Sequence, residues 1–377
     1  MIEHVKKTSL PEICALVTDG THDSPKLQRS GVPFIKGKHI SSGSIDFENC
    51  DYITEEDHLK CIKRVKPQIN DVLFANIGSI GDVARVIDER EFSIKNVALF
   101  RPNPHKVDPT YFYYLVASPS FREVFLNTRS GAAQPFISLE AFRSHRFSFN
   151  SDKTSQQRIG EVLSAYDDQI VNNNRRIRLL EESARLLYQE WFVRLRFPGY
   201  EHTKIDNGLP DGWEKTLLGD KVILNYGRAL KADDRTDGSF PVYGSSGIVG
   251  THEKALTQGP GIVVGRKGNV GSIYWSSKDY YPIDTVYFID SETSNLYLYY
   301  ALKYMHFIST DVAVPGLNRD FAYSRPLLLP TKRLLRSFLD FVVPVHEQID
   351  KLDEMKQKLK SACDLLLPRL MSGEIAV

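Results

Sequence analysis

Cysteine is scarce. The four present, Cys14, Cys50, Cys61 and Cys363, make no CxxC pair and no Cys/His cluster at zinc-ligand spacing, so neither a disulfide framework nor a structural zinc site is expected. They read as reduced, buried and chemically silent. The ten histidines are scattered, with none at HxxxH or HExxH spacing, and a metal site is not expected from them either. No apolar run approaches the ~18 residues of a membrane span. The start, Met1-Ile2-Glu3-His4, lacks the basic-then-apolar pattern of a secretory signal, so no membrane partner and a cytoplasmic location are expected. An excess of one charge is also missing. Forty-eight Lys and Arg against 47 Asp and Glu leave a net charge of +1, which confines any nucleic-acid surface to local patches.

Catalytic motifs are missing as well. Gly31 to Lys38 has one residue too many for a P-loop, and His39 stands where Ser or Thr would bind magnesium. The glycines of Gly265-Arg266-Lys267-Gly268-Asn269-Val270-Gly271 are wrongly spaced for a dinucleotide or methyl-donor turn and read instead as a tight hairpin. Asp211, Glu214 and Lys215 offer nuclease-like residue types, but adjacent side chains diverge on a strand. No catalytic residue, metal ligand or cofactor is therefore assigned to this chain.

What is there is a duplication. With 377 residues, 42% hydrophobic and 25% charged, the chain is a globular protein long enough for two domains of ~150 residues. Lys7-Thr8-Ser9-Leu10 resembles Lys215-Thr216-Leu217-Leu218. Asp71 to Gly81 aligns with Gly261 to Gly271, each an apolar strand running into a glycine-bracketed turn. Tyr111 to Tyr114 matches Tyr297 to Tyr300, and Gln134 to Ser138 matches Val314 to Asn318, in the same order. At helical spacing the tyrosine runs read as core and not as base-stacking platforms.

Each half ends in a heptad pattern. Ile159, Tyr166, Asn173, Leu180 and Leu187 form one column, with Leu163, Ile170, Ile177, Ala184 and Trp191 offset by four. Val345, Leu352, Leu359 and Leu366 repeat in the second half, with Ile349, Met355, Ala362 and Leu370 beside them. The expected fold is mixed α/β of the α+β kind: two similar globules separated by two long helices packed as an antiparallel coiled coil, a pseudo-twofold internal repeat. Asn173 would fix the register at some loss of strength. A helix from Gln156 to Trp191 would be ~54 Å long, the length of ~16 base pairs, which suggests a ruler between two reading modules.

Base readout uses Arg or Lys toward guanine and Asn or Gln toward adenine, presented from loops. Candidates in the first half are Thr21, His22 and Lys26, Lys36 and Lys38, Asn76 and Ser79, and Arg129 and Gln134. In the second they are Ser245 and Ser246, Arg266, Lys267 and Asn269, and Asn318 and Arg319. Arg266 and Lys267 stand out, because they follow the strand Val263-Val264 and precede a glycine turn.

Several segments together resemble the specificity subunits of Type I restriction-modification enzymes over essentially the whole chain. They are Asp19-Gly20-Thr21-His22-Asp23, Leu187-Tyr188-Gln189-Glu190-Trp191-Phe192-Val193, Leu209-Pro210-Asp211-Gly212-Trp213-Glu214, Gly316-Leu317-Asn318-Arg319 and Leu365 to Ile375. The resemblance implies target-recognition domains at residues 1–150 and 199–340, with spacer helices at 151–198 and 341–377. It implies that the two domains read unlike halves of a split double-stranded DNA site with a fixed gap. It further implies that the helices dock two modification subunits and that restriction subunits join them. S-adenosylmethionine, ATP and magnesium would belong to those partners. Two other readings stay open: a silenced or regulatory coiled-coil protein, and, against the missing motifs, a DNA methyltransferase or nuclease.

Overall fold

The computed structural model describes residues 5–41, 43–126, 136–305, 307, 316–375 and 377. The chain divides into two compact units, Met1–Asn172 with Lys356–Val377, and Asn173–Met355.

In the first unit the apolar runs Val72–Phe74 and Ala98–Pro102 are almost wholly buried, as inner strands must be when both faces are covered. They lie in an antiparallel sheet in the order Cys14–Asp19, Ala98–Pro102, Val72–Phe74, Val83–Arg85. A second sheet places Val32–Ile35 between an antiparallel neighbour, Asp51–Ile53, and a parallel one, Ser93–Ile94. Val5–Ser9 pairs with Arg146–Asn150.

The second unit repeats this plan strand for strand. Its main sheet runs Asn225–Tyr226, Val286–Ile289, Gly261–Gly265, Ile273–Ser276. Phe240–Gly244 again has an antiparallel neighbour, Gly247–His252, and a parallel one, Tyr281–Pro282. Glu214–Leu217 pairs with Pro326–Leu329. The helix Pro109–Ala117 is capped by Asp108, and its counterpart Leu296–Tyr304 by Asn295. Their tyrosines are buried in the two cores, Tyr111, Tyr114, Tyr297, Tyr299 and Tyr300 among them, as the sequence predicts.

Two long helices complete the chain, Lys153–Tyr188, continued by a π-turn over Gln189–Val193, and Lys332–Ser372. In the first unit Ile159 and Leu163 share a core with Leu367, Leu370 and Met371. In the second, Ala184, Tyr188, Trp191 and Phe192 share one with Leu334, Phe338 and Val342. Rising numbers on one helix meet falling numbers on the other, so the pair is antiparallel.

The second long helix begins at Lys332, ahead of the expected 341, and carries Pro344 within it. Leu334, Phe338 and Val342 turn inward at four-residue spacing, and that packing outweighs the hydrogen bond lost at the proline. Met355, placed in the seam by the heptad reading, is exposed. Asn173 is buried as expected, and its amide nitrogen has no hydrogen-bond partner.

Phe338 is fully buried among aromatic rings, with Phe192 at 5.0 Å, Trp191 at 6.0 Å and Tyr188 at 6.0 Å between centroids. Phe338→Ala is expected to lower the unfolding free energy by about 3–5 kcal/mol in urea titration. A loss below about 1 kcal/mol would mean that this cluster does not hold the helices together. On the same helix His346 accepts a hydrogen bond from, or donates one to, the Tyr300 hydroxyl at 2.8 Å. Burial, and then the charge of Lys303, push its pKa down to about 4. The folded protein therefore binds fewer protons here than the unfolded chain between pH ~6.5 and ~4. Stability contributed by the neutral ring is present above that window and lost as pH falls through it. Urea midpoints at pH 7 and 4.5 should fall further for the wild type than for His346→Gln, and equal falls would remove His346 as the cause.

Candidate nucleic-acid interface

The two glycine turns are the same structure. In the first unit Ala75 N donates to Asp82 O at 2.8 Å, Gly81 N to Ala75 O at 3.0 Å and Ile80 N to Gly78 O at 2.8 Å. In the second, Gly265 N donates to Ser272 O at 2.7 Å, Gly271 N to Gly265 O at 2.8 Å and Val270 N to Gly268 O at 2.9 Å. Gly78 and Gly268 both have φ of 77°, and Gly81 and Gly271 have φ of 100° and 78°, a left-handed region that excludes most side chains. Each turn is then tied to the start of a short helix. Ile137 N donates to Asn76 O at 3.0 Å, and Leu317 N to Arg266 O at 2.8 Å.

A third segment meets each turn at the same end of the sheet. Asp19 pairs with Ala98 in the first unit, and Tyr226 with Tyr287 in the second. Gly20 and Gly227 follow them, each so close to a carbonyl that an added Cβ would lie 2.2 Å from Ile94 O or 2.1 Å from Ile283 O. Asp19-Gly20-Thr21 and Tyr226-Gly227-Arg228 are thus counterparts.

In the second unit these segments gather Arg266, Lys267, Asn269, Asn318, Arg319 and Ser245. The Arg266 and Arg319 guanidinium carbons lie 5.1 and 4.2 Å from the Tyr226 ring centroid, and 5.7 and 5.6 Å from that of Tyr287. The Tyr287 hydroxyl donates to Leu317 O at 3.1 Å, which pins the residues leading into Arg319. Burial raises the Tyr287 phenol above its ordinary value, so it is neutral at physiological pH. Lys267 and Asn269 are exposed on the turn, and Ser246 is exposed in the neighbouring hairpin. Ser245 holds that hairpin to the turn by accepting from Ser272 Oγ at its carbonyl, 2.7 Å. Asn318 caps the helix Arg319–Tyr323, accepting from Phe321 N at 3.0 Å.

The first unit presents less free charge. Lys36 and Lys38 both face Asp51, at 2.8 and 3.5 Å. His22 lies between Asn96 Oδ1 at 3.0 Å and Asp19 Oδ2 at 3.1 Å. Asp19 also accepts from Arg64 Nε at 3.0 Å. Lys26 and Ser79 are exposed. Two candidates are not presented: Thr21 is 5% exposed, its hydroxyl accepting from Asp23 N, and Asn76 is 5% exposed, donating to Ile137 O at 3.1 Å. Both side chains stabilise the loops on which they sit, because each lies where the chain turns back over the sheet. Arg129 and Gln134 lie outside the described residues.

Sequence reasoning missed Tyr226 and Tyr287. The available signal was the Gly20/Gly227 correspondence, which extends the repeat across Asn225-Tyr226-Gly227-Arg228. Ser93, His58 and Glu91 form a nucleophile-base-carboxylate order, with Ser93 Oγ 2.9 Å from His58 Nδ1 and Glu91 Oε2 3.6 Å from His58 Nε2. Ser93 and His58 are each 1% exposed, so no substrate reaches them. Among the described residues no group of His, Cys, Asp and Glu could hold a metal ion, and no helix is long and apolar enough to cross a membrane.

The sequence model of the Type I restriction modification DNA specificity domain, Methylase_S, matches residues 2–182 and 210–321, which is more than half of the chain and covers part of each unit. The chain belongs to this family. The matched domain is one of DNA specificity and not of catalysis. The Type I restriction enzyme MjaIX specificity subunit of Methanocaldococcus jannaschii is 24% identical over 303 residues, 71% of this chain and 69% of its own length. A second relative from that organism, named for MjaX, is 25% identical over 225 residues, 57% of this chain and about half of its own length, 53%. The Type I restriction-modification S subunit from M. genitalium has the same fold, with a TM-score of 0.61 and 18% identity over 98% of this chain and 96% of its own.

Asn318→Ala removes a cap from this specificity-family site, and the unfolding free energy should drop by about 1 kcal/mol. Urea titration of the purified chain checks this, and an unchanged midpoint would show that the cap does not form in solution.

Proposed function

We propose that this chain is the DNA-reading subunit of a Type I restriction-modification complex and recognises a bipartite, asymmetric site with a fixed gap. The observation that carries the reading is the duplicated turn and helix start, built on the same backbone bonds but bearing different side chains. Two like scaffolds with unlike tips suit two unlike half-sites. The presented candidates are His22, Lys26, Lys36, Lys38 and Ser79 in residues 1–150, and Ser245, Ser246, Arg266, Lys267, Asn269, Asn318 and Arg319 in residues 199–340. The long helices set the gap and dock two modification subunits, which bind S-adenosylmethionine and methylate adenine. ATP-dependent restriction subunits join that assembly. With a net charge of only +1, this chain supplies selectivity while the assembled complex supplies much of the affinity. Its place of work is the cytoplasm.

The test is methylation mapping in a methylation-deficient host that expresses the chain with and without its modification partner. A partner-dependent methyladenine motif with two unlike halves and a constant gap is expected. Methylation by the chain alone would reveal an active site. None in either case, with complex formation verified, would leave a silenced or structural protein.

A further inference from the structure

Two arginines without a carboxylate share one aromatic ring in the second unit. Among the described residues neither Arg266 nor Arg319 forms an ion pair. Among these residues Arg319 makes no side-chain hydrogen bond, and its Nε is buried without an acceptor. Arg266 makes one long bond, 3.4 Å, to Asp284 O. The ring of Tyr226, 54% exposed, holds both guanidinium groups. Their backbones are joined through Leu317 N and Arg266 O, so the two side chains are fixed as a pair.

A guanidinium whose carbon is held over a ring face keeps N–H groups free to donate beyond the ring. That presentation suits the O6 and N7 acceptors along the major-groove edge of guanine; a phosphate accepts the same fork, and the methylated motif decides between the two. Among the described residues neither guanidinium has a carboxylate partner, which leaves both with N–H groups to offer to an acceptor. Among its described residues the first unit has no such pair at the matching positions. At the counterpart positions stand Asp19, already bound to Arg64, Asn76, which is buried, and Leu139.

We infer that Arg266 and Arg319, held over the ring of Tyr226, are specificity-determining residues that require a guanine in the half-site read by the second unit. The inference rests on the DNA-reading function proposed above. The test maps methylation by the complex formed with wild-type chain, Arg266→Lys and Arg319→Lys, since lysine keeps the charge and loses the planar fork. In the wild type one half-site contains a required guanine. In at least one variant other bases are accepted at that position, discrimination there falling roughly 5- to 150-fold. The other half-site stays unchanged, which shows that the variant folds and assembles. Even loss of methylation with an unchanged motif assigns the arginines to phosphate and overturns the inference, as does a motif with no guanine in either half, or variants identical to the wild type.

A second measurement needs no variant. Duplexes with each guanine replaced in turn by 7-deazaguanine, which lacks the N7 acceptor, compete for the wild-type complex. Weakening of about fivefold or more at a guanine supports the inference, and none at any guanine overturns it. A wild-type complex that methylates no fixed motif removes the DNA-reading function itself, and the inference with it.

Discussion

One backbone hydrogen bond in each unit, Leu317 N to Arg266 O and Ile137 N to Asn76 O, joins a glycine turn to a helix start. The placing of Arg319 beside Arg266 in the second unit depends on it. It makes a hairpin from one sheet and a short helix from a distant part of the chain act as one rigid tip. Without it Arg266 and Arg319 would ride on separate loops, and the ring of Tyr226 could hold only one of them in place. The Tyr287 hydroxyl reinforces the same joint from inside the core.

The remaining architecture positions that tip. The inner strands are buried and anchor the turns, while the tyrosines of Pro109–Ala117 and Leu296–Tyr304 fill the space behind the sheets. The antiparallel helices contribute to both cores, Leu163 with Leu370 in one and Trp191 with Phe338 in the other. Function of the kind proposed needs no moving part within a unit. It needs side chains kept at fixed places on a stiff frame.

The duplication was legible in the sequence because glycine is strongly favoured where φ is positive, and Gly78, Gly81, Gly268 and Gly271 keep their spacing. The heptads were legible because seam positions must be apolar, and only Met355 misled, sitting one step off the stripe that the helix buries. The start of the last helix was hidden by Pro344, a residue that normally argues for a break. The site was less legible. Thr21 and Asn76 have the chemistry of base readers, but burial is decided by which strands cover them, and short-range pattern does not carry that. Tyr226 was hard to single out for the opposite reason: the Gly20/Gly227 correspondence marks its segment, but its neighbours Arg266 and Arg319 lie 40 and 93 positions away.

The bonds that close each turn run between main-chain atoms, and so ask little of the side chains at 267 and 269. The two units illustrate this, with Ile77 and Ser79 standing where the other has Lys267 and Asn269 on the same bonds, whereas at the position of Arg266 the first unit has Asn76, whose buried side chain helps hold its loop. If the proposed DNA-reading function holds, inherited variation at 267 and 269 would alter what is read at little cost to folding, whereas most changes at Gly268 or Gly271 would strain the turn. A lineage carrying this scaffold would then drift to a new DNA target one codon at a time.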